Sequence, residues 1–134
     1  MKPLTILLIA LSFWLLAGCQ AGGGQDPAAL AVEQYLEALA AQDAAAAQQV
    51  ACDELRAFVL DDLGSSAEDL AQVDNVACEV IETADGVARV TCGGTSSILG
   101  EPEVIELPAF NRVYVVEQRG DNWLICDLAE RTAP

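Results

Sequence analysis

Five cysteines, two tyrosines and no histidine set the chemistry this sequence could support. Cys19 stands behind an apolar N-terminal run, while Cys52, Cys78, Cys92 and Cys126 are spread through the remainder. An even set of four in an exported chain suits two disulfides. No Cys-x-x-Cys occurs, so zinc binding and thioredoxin-like redox work have little to build on. Acid–base chemistry would fall to carboxylates and phenols. Tyr35, Tyr114 and Asp127 are the candidates, with Trp123 as a stacking surface, and these four form the candidate pocket set. The acidic pairs Asp61-Asp62, Glu68-Asp69 and Glu101-Pro102-Glu103 lack the alternating spacing and glycine of a calcium loop. They read as solvated helix ends and loops. No serine occupies a nucleophile elbow. Neither a metal site nor a cofactor is expected.

Positioning these groups falls to helices first and strands second. Asp26-Pro27 opens a helix, since Asp26 can cap free amides and Pro27 suits the first helical position. Val32, Tyr35, Leu36 and Leu39 then follow the i, i+3, i+4, i+7 spacing of one apolar stripe, with Glu33, Gln34 and Glu37 on the other side. Asp43 caps a second segment over 44–51. A third runs from Asp53 to Asp62 with Leu55, Phe58, Val59 and Leu63 on one side, and Gly64-Ser65-Ser66 ends it.

Beyond Val73 the period changes to that of strands. Segments 76–83 and 87–93 flank Ala84-Asp85-Gly86, which suits a three-residue hairpin loop with Gly86 in the left-handed position. That register sets Cys78 opposite Cys92. It assigns a Cys78–Cys92 bridge and leaves Cys52–Cys126 to tie the helices to the last strand. A long strand candidate covers 103–118, interrupted near Pro108 because proline cannot donate to a central ladder. Residues 119–122 form a turn and 123–128 the closing strand. On that last hairpin Tyr114, Val116, Trp123 and Ile125 alternate with Val113, Val115, Leu124 and Cys126. Both faces are apolar, so one packs on helices and the other needs a cover, for which a homodimer is the hypothesis.

Charge excludes some partners. Without residues 1–18 the chain keeps five arginines and no lysine against 21 acidic residues, a net charge of about −16. Such a surface repels nucleic acid and anionic headgroups, so the domain is expected to hang tethered to a membrane rather than to lie on it, and the charge serves solubility.

The N-terminus carries the most specific pattern. Met1-Lys2 precedes an uncharged run from Leu4 to Leu16, which suits a signal-peptide core and falls short of a spanning helix. Leu16-Ala17-Gly18-Cys19 then resembles the lipobox of bacterial lipoproteins. The resemblance implies cleavage before Cys19 and a diacylglyceryl group on its sulfur, giving stable attachment through two or three acyl chains. It divides the chain into a signal peptide (1–18), the lipidated cysteine with a flexible spacer (19–25) and one domain (26–134). The expected place is the cell envelope, either outside the cytoplasmic membrane or in an outer membrane, which Gln20 favours in diderm bacteria.

Two further stretches carry a second resemblance. Residues 31–43, Ala-Val-Glu-Gln-Tyr-Leu-Glu-Ala-Leu-Ala-Ala-Gln-Asp, and 114–128, ending Asn-Trp-Leu-Ile-Cys-Asp-Leu, resemble the opening helix and final hairpin of the NTF2-like superfamily. What this implies is an α+β cone, a curved and mainly antiparallel sheet wrapped around helices with a cavity at its open end. No reaction follows from it, because the fold hosts enzymes and binding modules alike. Its isomerases and dehydratases pair Asp with Tyr or His, and no such catalytic motif aligns here. The expectation is a non-catalytic, lipid-anchored domain that binds a small ligand or an envelope protein. The alternative is an anchored enzyme of the isomerase or dehydratase type.

Overall fold

The computed structural model describes residues 25–97 and 100–131. The apolar N-terminal run, Cys19 and residues 20–24 of the spacer lie outside the described residues. Asp26 accepts the Ala28 amide at 2.9 Å and Pro27 fills the first position, so helix α1 spans Pro27–Ala40. Its buried surface is wider than one stripe. Alanines 28, 29, 31 and 38 are covered together with Val32, Tyr35, Leu36 and Leu39, because small side chains let other elements approach from several sides. Each of the larger aliphatics contributes about 1.5–3 kcal/mol by leaving water. Gln42 takes a left-handed conformation (φ 56°), and the Asp43 amide returns to the Ala38 carbonyl at 2.9 Å. Asp43 then caps α2 (Ala44–Gln49) by accepting the Ala46 amide at 3.0 Å.

A 3-10 turn at Asp53–Leu55 leads into α3, Arg56–Leu70. The helix runs through Gly64-Ser65-Ser66, where the sequence suggested its end. An interior glycine costs about 1 kcal/mol relative to alanine. Burial of Val59, Ala67 and Leu70 on both sides of it outweighs that, and Ser66 Oγ donates to Asp62 one turn back.

The strands are β1 (Asn75–Ala84), β2 (Val87–Ser96), β3 (Glu103–Val104), β4 (Arg112–Arg119) and β5 (Asn122–Glu130). All pairings among them are antiparallel, in the order β1-β2-β4-β5, with β3 beside the far end of β2. Helices followed by an antiparallel sheet make the domain α+β. The long strand expected over 103–118 is divided, with a 3-10 turn at Pro108–Phe110 where the proline stands.

The β1–β2 hairpin differs from the expected three-residue loop. Ala84 pairs with Val87, so the turn is the two-residue Asp85-Gly86, both left-handed (φ 54° and 75°). Asp-Gly favours that turn because its twist matches the strands. The residue thus returned to the ladder is absorbed by a bulge at Ile81, which is exposed. Below the bulge Val80 faces Val90 and Cys78 faces Cys92. Cys78 is bonded to Cys92 and Cys52 to Cys126.

One face of the sheet, through Ala88, Val90, Tyr114, Val116 and Ile125, packs against the helices to form the core. Both outer strands are met at one point on their edges. On β5, Ile125 exchanges bonds with the chain after α2: the Cys52 amide donates to the Ile125 carbonyl and the Ile125 amide to the Val50 carbonyl, each at 2.8 Å. At the other edge the Cys78 amide donates to Glu33 Oε1 at 2.9 Å. Glu33, expected on the solvated side of α1, is drawn there because an outward strand amide requires an acceptor. No described helix is long and apolar enough to cross a membrane.

Candidate functional site

Among the described residues the interior holds one concentrated set of polar groups, centred on Asp62. This residue is 1% exposed on the core side of α3. Its Oδ2 accepts from Tyr35 Oη at 2.7 Å and from Arg112 Nη1 at 3.0 Å. Its Oδ1 accepts from Ser66 Oγ at 3.0 Å and from Arg112 Nη2 at 3.2 Å. Four donors therefore meet the roughly four acceptor sites a carboxylate offers. The Arg112 pairing is the bidentate fork that gives geometric specificity as well as energy.

Each partner comes from a different element. Tyr35 belongs to the apolar stripe of α1, Ser66 sits one turn beyond Asp62, and Arg112 is the first residue of β4. Arg112 Nε also donates to the Pro108 carbonyl at 3.3 Å. Its guanidinium lies between two rings, 5.7 Å from the Phe58 centroid and 5.8 Å from that of Tyr114. Tyr114 in turn donates to the Ala109 carbonyl at 2.7 Å and meets Tyr35 edge-on at 6.2 Å. Among the described residues, every buried side-chain nitrogen and oxygen has a partner.

Burial holds both phenols well above their ordinary pKa. For Tyr35 the hydrogen bond it donates to the Asp62 carboxylate pushes in the same direction. Neither is poised to release a proton near neutral pH.

The four candidate pocket residues do not converge. Tyr35 and Tyr114 are fully buried neighbours in the core, engaged as above. Trp123 is half-buried, opposite Gln118 on the last hairpin, and lines a groove beside the first turns of α1. Asp127 is exposed, its Oδ1 accepting from the Leu128 amide at 2.8 Å. A bulge explains its placement: Val116 pairs with Ile125 but Val115 with Asp127, so Cys126 is the extra residue. It turns Asp127 to the face opposite Ile125, and it sets Cys126 beside Cys52.

Asp62, Ser66 and Arg112 were not singled out in the sequence, and the reading of Asp61-Asp62 as a solvated pair holds only for its first member. Asp61 is exposed and Asp62 buried. A signal existed, since positions 55, 59, 62, 66 and 70 share one side of a helix, and the three apolar ones, Leu55, Val59 and Leu70, belong plainly to a packed face. Cys52, Cys126 and Glu117 bring possible ligand atoms within 4.8 Å of one another, but the two sulfurs are spent on their own bond.

Just outside the network, Phe58, Pro108, Arg112, Leu128 and Glu130 line a surface depression of about 410 Å³. The Arg112 side chain, 15% exposed, forms part of its wall. The site thus combines a closed polar core with an open, partly apolar hollow directly over it. Compared with known proteins, the chain matches no family model and no curated protein.

Proposed function

We propose that this is a lipid-anchored protein of the bacterial cell envelope whose domain is an NTF2-like module that binds a small ligand or protein partner without catalysing a reaction. The lipobox-like Leu16-Ala17-Gly18-Cys19 supports the anchor. The order of helices before an antiparallel sheet with a tryptophan in its closing strand supports the NTF2-like reading.

A single observation carries the non-catalytic part. The groups able to do acid–base work inside the domain, Tyr35 and Asp62, are engaged with each other and with Arg112, and both are shut away from water. A catalytic carboxylate needs a free lone pair aimed at substrate, whereas each oxygen of Asp62 already takes two donors. Binding then falls to the hollow over Arg112, where Phe58 and Leu128 offer apolar contact and Asn111 an amide.

The enzyme alternative keeps one specific support, the 2.7 Å Tyr35–Asp62 contact, because an Asp–Tyr pair is what isomerase-type relatives of this fold would use. A homodimer over the outer sheet face has less behind it. There Val115 lies between Arg89 and Asp127, and Arg89 reaches Glu82 at 3.8 Å, so charge interrupts the apolar row.

Native mass spectrometry of the protein taken directly from envelope membranes tests the proposal. A co-purifying small molecule or protein that is lost on Phe58→Ser supports binding at the hollow. Recovery of the protein alone, or retention of the adduct in the variant, counts against it. Turnover of an isomerase substrate that stops with Tyr35→Phe would move the assignment to the alternative.

A further inference from the structure

One described groove differs chemically from the rest of this acidic domain. It measures about 300 Å³ and lies between the first turns of α1 and the turn that joins β4 to β5. Leu30, Gln34, Gln49, Val50, Asn122 and Trp123 supply its walls, and Asp121 is the sole charge in its lining. Leu30 is 41% exposed at its rim, and Trp123 is half-buried. An indole, aliphatic side chains and uncharged amides form the mixture that suits the zone between water and hydrocarbon, where one end of a side chain is apolar and the other wet.

The second observation is where the chain runs from this end. Pro27, at the start of α1, itself lines the groove. It follows Cys19 by eight residues, and even a fully extended chain covers only about 3.3–3.6 Å per residue. Whatever surface holds Cys19 therefore keeps the groove within roughly 30 Å, about the diameter of a small domain. A tether that short also raises the local concentration of membrane around this end above that around any other.

We propose that the groove-bearing end docks on the bilayer interface, with Trp123 and Leu30 seated at the level of the headgroups. The inference rests on the lipobox reading of Cys19. Asp26, Asp121 and the net charge of the domain make a zwitterionic surface the better partner, since anionic lipid repels them.

Removal of residues 1–18 leaves Trp123 as the one tryptophan, so its emission reports on this site alone. The full chain, expressed in a bacterial host and purified from its membranes, is first weighed for acyl groups on Cys19. It is then placed in phosphatidylcholine vesicles with and without brominated acyl chains. Docking predicts a blue-shifted emission that bromolipid quenches, and a loss of both effects in Leu30→Asp, with acylation and circular dichroism unchanged. An acylated, vesicle-bound protein whose emission ignores bromolipid overturns the docking and leaves the anchor standing. Absence of acyl mass on Cys19 overturns the anchor and the docking with it.

Discussion

Arg112 and Asp62, 50 residues apart in the chain, meet as a two-point ion pair that joins the start of β4 to the middle of α3. With Asp62 at 1% exposure, the arginine is what makes a buried carboxylate tolerable. Removing one member of such a pair costs about 3–5 kcal/mol, because the other charge is left uncompensated. Arg112→Met is therefore expected to lower the urea midpoint severely. Adding Asp62→Leu to it should recover much of the loss, since an apolar pair of similar volume avoids the desolvation of both ions. A double variant no more stable than Arg112→Met would show that the network acts through something other than charge.

The two phenols predict an alkaline limit. Burial raises the pKa of both Tyr35 and Tyr114, so the folded chain keeps their protons where an unfolded tyrosine, with a pKa of about 10, releases them. The unfolded state then binds fewer protons, and stability falls as pH rises above roughly 10. Below that pH the contribution is fully present. These are the only tyrosines, so phenolate absorbance is a clean readout. It should grow in step with the loss of circular dichroism. Phenolate appearing while the fold persists would contradict the buried network.

The bridges differ in reach. Cys52–Cys126 spans 74 residues and Cys78–Cys92 spans 14. Chain-entropy reasoning gives about 4 and 3 kcal/mol respectively, so replacing the first pair by alanine should cost more than replacing the second. Denaturant titration of the two double variants decides the order. Peptide mapping without reduction should recover each bridge intact.

Two glycines should respond in opposite directions to the same change. A methyl on Gly94 would meet Val73 Cγ1 at 2.5 Å, the Asn75 carbonyl at 2.9 Å and Phe110 Cζ at 3.0 Å. Gly94→Ala is expected to destabilise by about 1–3 kcal/mol through overpacking. At Gly64, inside α3, nothing lies within 4 Å, so Gly64→Ala should stabilise by about 1 kcal/mol. Thermal melts of both variants check the pair, and a shift of the same sign in each would be incompatible with this packing.

Much of the architecture can be read from short-range chemistry. Asp26-Pro27 and Asp43 mark helix starts because capping is local, and the order of helices before strands follows from the change of period at Val73. The facing of Cys78 and Cys92 is legible too, though through a different turn: the two-residue loop and the Ile81 bulge shift the register in compensating directions. What escaped the sequence depends on distant partners. Asp62 looks solvated beside Asp61 until Arg112 and Tyr35 arrive from other elements. Asp127 stays open between a cavity-facing and a solvated place until one extra residue at Cys126 reverses the alternation and turns it outward. Gly64-Ser65-Ser66 looks like a stop until the burial that follows it is counted.

The contacts made at both sheet edges bear on how crowded copies of this protein would behave. Residues 50–52 occupy the Ile125 positions of β5, and Glu33 occupies the Cys78 amide of β1, so an approaching chain finds each edge interrupted at one point. Molecules held side by side on a surface collide far more often than the same number in solution. For such neighbours an open strand would be a template for fibrils, and a carboxylate set against one amide of that edge leaves it a poorer seed.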